Sequence, residues 1–334
     1  MNETAAPILD VRDLAVEFPL SGGTIVPVRG VSFTLAPRQR LGIVGESGSG
    51  KSLTALSLMR LLPPPGRIGG GEVLMDGRDL TRLSEREMAR VRGGRMALVY
   101  QDPMSSLNPV QTVGRQIVEA IRTHEDVSRA AARARAIELL GEVGLPQPAE
   151  RFDSYPHQFS GGMRQRVMIA MAISAGPDVL IADEPTTALD VTTQARIIDL
   201  LGRLVDQHDM AVILITHDLG VAASFCDDVH VMYAGRIVER SPAEPLFRQP
   251  VHPYTEALLS AICRLDFDVS TPIAAIPGQP PLPQAIPEGC PFHPRCPHAF
   301  GRCTVEVPAD TLLPDGRTAE CHLAGERAGA EVAA

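Results

Sequence analysis

The stretch "RLGIVGESGSGKSLTALSLMRLL", Arg40–Leu62, decides the fold. Its opening "RLGIVG" is a short apolar run of strand character, and "KSLTALSLMRLL" carries the spacing of a helix expected to run until Pro63, Pro64 and Pro65 stop it. Between them "GESGSGKS", Gly45–Ser52, fits G-x-x-x-x-G-K-S/T in the strand-turn-helix context that gives this pattern its meaning. Glycines let backbone N–H groups converge on phosphates, and the positive end of the helix dipole adds to their pull. The expected nucleotide cradle is therefore Gly45, Glu46, Ser47, Gly48, Ser49, Gly50, Lys51 and Ser52. Lys51 is expected to reach the β- and γ-phosphates of ATP, and the Ser52 hydroxyl to ligate Mg²⁺.

Further along, "VLIADEP", Val179–Pro185, is an apolar strand ending in two carboxylates. After a phosphate loop this arrangement suits a Mg²⁺ ligand, Asp183, followed by a residue that polarises water, Glu184. Between the two motifs lies "FSGGMRQR", Phe159–Arg166, whose Ser160, Gly161 and Gly162 open a helix as a second anion grip. One chain cannot easily turn both grips on one nucleotide. Each grip would then clamp the nucleotide held by a partner's phosphate loop, which implies a head-to-tail dimer.

Around these motifs the chain alternates short strands and helices, as a mostly parallel α/β sheet requires. "ILDVRDLAVEF" and "VRGVSFTL" precede them as antiparallel strands around a turn at Gly22 and Gly23, "GEVLMDGRDL" reads as a second hairpin, and "RMALVYQ" as a buried strand. Residues from about 102 to 162 are helical, and the arginines of "SRAAARARAIELL" read as a solvated helix face. After about residue 240 proline dominates: "SPAEPLFRQPVHPYTEALLSAI" holds one short helix, and "IPGQPPLPQAIPEG" reads as a linker or arm. A net charge of −9, with 40 acidic against 31 basic residues, has the wrong sign for a general grip on nucleic acid. The polar start "MNETAAPILD" and the lack of a run of about 18 apolar residues lead to the expectation of a protein neither secreted nor membrane-spanning.

The ordered series phosphate loop, Gln101 in "VYQDP", "FSGGM", "LIADE", "ALD" ending at Asp190, and His217 in "LITHD" resembles the nucleotide-binding subunit of ABC transporters over residues 8 to about 240. The resemblance implies an α/β P-loop NTPase of the ABC type, with a mixed sheet core, an antiparallel β subdomain and a helical subdomain at about 102–162. It implies that Gln101 contacts Mg²⁺ or the attacking water, that His217 contacts the γ-phosphate, and that Asp190 links the two sites of a dimer. Phe159 stands where the family commonly has Leu, and Phe18 is the candidate adenine-stacking ring, its alignment blurred by "PLSGGTIVP".

"QDPMSSLNPVQTVGRQI", "DEPTTALDVTTQARI" and "HPYTEALLSAI" further resemble the oligopeptide/dipeptide importer ATPases, a group with nickel-transport members. That resemblance implies peptide uptake through two transmembrane permeases, an extracytoplasmic binding protein, a second ATPase subunit (a paralogue of this chain), and a peripheral place on the cytoplasmic face of the inner membrane. In it the helical region after Gln101 receives a short permease helix. A soluble ABC ATPase of translation or DNA repair, an exporter ATPase and a metal- or redox-sensing module are the rival readings; the first typically fuses two ATPase units or carries a coiled coil, and this chain shows one unit and no sustained heptads.

The tail, 241–334, is expected to be a separate Pro/Cys-rich extension. Cys290, Cys296, Cys303 and Cys321 are separated by five, six and seventeen residues, without the close C-x₂₋₄-C pairs of structural zinc sites. Four thiolates so spaced could hold an iron–sulfur cluster, and the importer resemblance implies a [4Fe–4S] cluster; zinc with His293, His298 or His322 as added ligands, and unmetallated thiols, are the alternatives. A reducing compartment disfavours disulfides. Cys226 and Cys263 read as isolated cysteines.

Overall fold

The alternation in the N-terminal segment changes phase midway. Leu9 and Val11 are buried at odd positions, Leu14 and Val16 at even ones. In the computed structural model, which describes residues 6–187, 189–261 and 276–330, the cause is a β-bulge. Leu9–Leu20 pairs antiparallel with Arg67–Met75, and the register shifts between Arg12 and Ala15. Asp13 takes a left-handed conformation there, φ 47°, so one extra residue returns the apolar side chains to the inner face. Gly71, φ 85°, makes the bulge possible, since a Cβ would lie 2.5 Å from the Arg12 carbonyl oxygen.

The chain divides into two compact units. One unit comprises residues 9–34, 41–81 and 216–334. It contains the antiparallel sheet, in the order Gly23–Leu35, Leu9–Leu20, Arg67–Met75, Arg78–Asp79. Both expected hairpins are present, the second turning at Asp76 and Gly77, both with positive φ. The strand Arg40–Val44, whose last four residues are fully buried, runs parallel to Asp228–Tyr233 with Leu41 opposite Asp228. Asp228–Tyr233 turns at Ala234 and Gly235 into antiparallel Arg236–Pro242. The short strand Thr318–Ala319 then pairs with Arg240 and Glu239, and Thr311–Leu312 adds beyond it.

The other unit comprises residues 1–8, 35–40 and 82–215. Its strands Met96–Val99, Val179–Asp183 and Ala211–Thr216 are parallel, with Ile181 opposite both Leu98 and Ile213. The latter two are buried at every position, which is why they read as unbroken apolar runs. The helical stretch contains Val113–His124 and Arg129–Glu142 among other helices. Arginines of the second helix meet acids and a ring: Arg135 bonds Glu142 at 2.8 Å, and Arg133 lies 3.9 Å over Phe152. They form the solvated face expected from the sequence.

Two expectations are corrected. The helix after the phosphate loop ends at Leu58, short of the prolines. Arg60 turns left-handed, φ 50°, and the Leu61 N–H bonds back to Leu56, closing the helix before Pro63 acts. The segment after residue 240 holds two short helices, Ala243–Arg248 and Pro253–Ser260, because "RQPVH" breaks the run and His252 caps the second.

His230 and His252 are both buried, and burial pushes each imidazole down to about 3. Arg240, opposite His230 in the ladder, adds to the shift there. His252 must also stay neutral to accept the Tyr254 N–H at Nδ1, 3.0 Å. Unfolded chains take up these protons below the ordinary value of 6.5, whereas the folded chain does not until about 3. Stability is therefore complete above pH 6.5 and falls as pH falls below it, by about 2 kcal/mol per histidine over the first ~1.5 units. Denaturant midpoints between pH 7.5 and 5 should show this slope, and His252→Asn, which still caps the helix, should flatten it by about half.

Candidate functional site

The phosphate loop is shaped by close approach. Gly45 has φ 152°, and a Cβ there would sit 2.2 Å from the Met232 carbonyl oxygen. Gly50, φ 107°, would meet the Pro27 carbonyl at 2.8 Å. Gly50 is also the N-cap of the helix Lys51–Leu58, which has neither a side-chain cap nor an acid in its first turn. Backbone N–H groups at the start of a helix, with the positive end of its dipole, suit an anion. Lys51 is buried, and its Nζ donates to the carbonyls of Gly45 at 2.8 Å and Glu46 at 3.0 Å. Among the described residues the buried Ser49 hydroxyl has no hydrogen-bond partner, an orphan that a phosphate oxygen would satisfy. These groups fit a nucleoside triphosphate. Glu46 is held differently: its N–H donates to the Tyr254 hydroxyl at 2.8 Å and its carboxylate pairs with Arg295.

In the same unit His217 is exposed just after the strand Ala211–Thr216, and the Asp218 N–H donates to the Thr216 hydroxyl at 2.9 Å. Phe18 is half-buried over Gly66, where a Cβ would lie 2.6 Å from its ring.

In the other unit Asp183 ends its strand, buried, and Glu184 follows in a left-handed conformation, φ 46°. A non-glycine residue there is strained, and its neighbours hold it. The Glu184 N–H donates to the Ile215 carbonyl at 2.9 Å. Its Oε2 accepts from the Gln101 amide at 3.1 Å and from the Thr187 hydroxyl at 2.8 Å. The structure thus brings together Gln101 and Glu184, 83 residues apart. Ser160 caps the helix Gly161–Ile173, its Oγ accepting the Met163 N–H, with the Phe159 ring buried just before it. Gly162 faces Thr193, whose Cγ2 would lie 2.6 Å from an added Cβ. Asp190 caps Val191–His208, accepting from the Thr193 N–H at 3.0 Å and hydroxyl at 2.7 Å, and these bonds hold its carboxyl below the ordinary value. A pocket is lined by Gln101, Met104, Gly161, Arg164, Pro185 and Leu189.

Among the described residues no three His, Cys, Asp or Glu side chains are assembled as a group that could hold a metal ion. His293 turns its Nδ1 to the Cys290 carbonyl and His322 its Nε2 to the Glu306 carbonyl, both at 3.0 Å. Cys290, Cys296, Cys303 and Cys321 are free thiols that lie within electrostatic reach of one another. Burial first, then the other three cysteines, pushes the Cys290 thiol up to about 11. Cys226 is buried against Gly42, and Cys263 lies outside the described residues. No helix among the described residues is long and apolar enough to cross a membrane.

Three partners of the site were not readable from motifs: Thr187, Tyr254 and Arg295. Thr187 sits inside "DEPTTALD", where nothing in the motif marks it; the other two lie far from the phosphate loop in sequence.

Comparison with known proteins agrees with this geometry. Residues 28–187 match the ABC transporter family, and residues 238–303 match the oligopeptide/dipeptide transporter C-terminal region. The dipeptide transport ATP-binding protein DppD of Bacillus subtilis is 48% identical over 322 residues, 96% of each chain. The oligopeptide transport ATP-binding protein OppD of Salmonella typhimurium is 49% identical over 319 residues, 96% of this chain and 94% of that one. Among solved structures, the dimeric post-hydrolysis state of the ATP-binding cassette MJ0796 bound to ADP and Pi matches with a TM-score of 0.63 and 26% identity, covering 70% of this chain and 98% of that one. A loop built for phosphates, a strained glutamate braced by a glutamine, and a match along nearly the whole chain lead to one conclusion: the protein belongs to the ABC transporter ATPases, in their oligopeptide/dipeptide branch.

Proposed function

We propose that this chain is the ATP-hydrolysing subunit of an importer of di- or oligopeptides. The observation that carries the reading is that likeness to peptide-transport ATP-binding proteins continues past the cassette into the C-terminal region, rather than stopping at the ATPase motifs common to the whole family.

The phosphate loop would hold ATP through the N–H groups at the start of its helix, with Lys51 exchanging its carbonyl partners for phosphate oxygens. Mg²⁺, when bound, would neutralise charge developing on the phosphates, with Ser52, Asp183 and Gln101 as its proposed ligands. Glu184, oriented by Gln101 and Thr187, would take a proton from the attacking water. His217 would contact the γ-phosphate. Ser160, Gly161 and Gly162 would clamp nucleotide on a second ATPase subunit in a head-to-tail dimer, and Asp190 would connect the two sites. A short helix of each of two permease subunits would dock in the helical region beyond Gln101, where Met104 is 53% exposed beside the pocket. An extracytoplasmic binding protein would deliver the peptide, and the ATPase would sit peripherally on the cytoplasmic face of the membrane.

The four thiols are proposed ligands of a [4Fe–4S] cluster. Their mutual electrostatic reach supports this, as does a spacing too wide for the close pairs of a zinc site.

Purification from membranes in mild detergent should recover the chain with two hydrophobic permeases. Reconstitution with the binding protein should give ATP-dependent uptake of labelled peptide. Uptake of nickel instead would keep the ATPase and replace the substrate; recovery with ribosomes or DNA would overturn the transport reading. Iron and sulfide assays on anaerobically purified protein decide the cluster separately.

A further inference from the structure

Glu46, the second residue of the phosphate loop, is gripped at both main chain and side chain. Its two carboxylate oxygens meet one guanidinium, Arg295 Nη1 to Oε2 at 2.7 Å and Nη2 to Oε1 at 2.9 Å. The same guanidinium donates from Nε to the Pro277 carbonyl at 2.9 Å and from Nη1 to the Tyr233 hydroxyl at 3.3 Å. Its side chain is only 4% exposed, against 24% for Glu46. The guanidinium carbon lies 5.8 Å from the Tyr233 centroid and 6.0 Å from that of Phe292, and Tyr254 packs on both rings with centroids 4.5 and 5.4 Å away. A bidentate pair this enclosed is directional, because the planar fork fixes the carboxylate in orientation as well as position.

Inside the loop, bonds converge on the same residue. The Glu46 carbonyl accepts from Lys51 Nζ at 3.0 Å and from the Ser49 N–H at 3.3 Å. A shift of Glu46 would therefore move the lysine and the N–H groups that receive phosphate. Arg295 itself ends the turn His293–Arg295, bracketed by Cys290 and Cys296. The Cys290 carbonyl accepts the His293 N–H at 3.0 Å, and the Cys290 N–H donates to the Cys303 carbonyl at 2.8 Å. The conformation of the cysteine loop thus sets where the guanidinium lies.

We infer that Arg295 is a positioning residue for ATP binding, acting through Glu46, and that it ties the four-cysteine segment to the phosphate loop. This rests on the ATPase reading and does not depend on what the thiols hold. The test uses the full chain, with ATP binding measured on the purified protein and ATP KM and kcat on the assembled transporter. Arg295→Ala should raise the ATP KM about tenfold with kcat changed less than about twofold, the signature of lost uniform binding. Arg295→Lys keeps the charge and loses the fork, and should raise KM about threefold. Combining Arg295→Ala with Glu46→Ala should be no worse than the more severe single change, because both act through one contact.

An unmoved KM in Arg295→Ala protein that melts as the parent does would overturn the inference, as would effects that multiply in the double variant. If Arg295→Ala does not fold, Arg295→Lys and Glu46→Gln decide it on the same KM. A parent chain that binds no ATP would instead overturn the ATPase reading.

Discussion

Replacing Glu184 with Gln is expected to lower ATP turnover by at least about 100-fold while leaving ATP binding intact, the range a positioned general base contributes. Gln is nearly isosteric, and its side-chain oxygen can still accept from the Gln101 amide and the Thr187 hydroxyl as the carboxylate does at 3.1 and 2.8 Å. The left-handed backbone at φ 46° and the N–H bond to Ile215 involve no side-chain atom and should persist. What is lost is a site able to take the water's proton. The variant should accumulate as an ATP-loaded, closed dimer, visible by size-exclusion chromatography with nucleotide and by steady-state ATPase of the assembled transporter. Unchanged turnover would remove Glu184 from the role of base.

Gly45→Ala should be the most damaging single-methyl change in the phosphate loop. Alanine there would have to occupy φ 152° with its Cβ 2.2 Å from the Met232 carbonyl oxygen, a contact that only backbone movement relieves. Strain and overpacking together should cost about 3–5 kcal/mol and abolish measurable ATP binding. Gly48 provides the comparison: its φ is 80°, but a Cβ there has nothing within 4 Å. Gly48→Ala should therefore cost only about 1–2 kcal/mol of backbone strain. Chemical denaturation of both variants measures the difference, and equal losses would show that the Met232 approach is unimportant.

Local chemistry was legible in the sequence. The phosphate loop, the apolar run closing on Asp183 and Glu184, and the hairpin at Asp76 and Gly77 each announce themselves within about ten residues, because the groups that define them are neighbours in the chain. Phase errors were not legible. Asp13 looks like one more polar residue in an alternating strand, yet the switch of buried positions from Val11 to Leu14 needs the partner strand and its Gly71 to explain it. Helical spacing after Lys51 continues through Leu62 to the prolines, while a left-handed Arg60 ends the helix earlier.

By itself, then, the sequence determined the class of chemistry, an ATPase of the ABC type, and the order in which its motifs come along the chain. Tertiary structure alone decided what holds those residues. The Gln101 amide reaches Glu184 across 83 residues, and Arg295 reaches Glu46 across 249. Periodicity and spacing are properties of near neighbours, whereas an ion pair depends on where two distant backbones are packed. Nothing in "HPRC" distinguishes an arginine in solvent from one buried against Tyr233 and Phe292 with its fork on the phosphate loop.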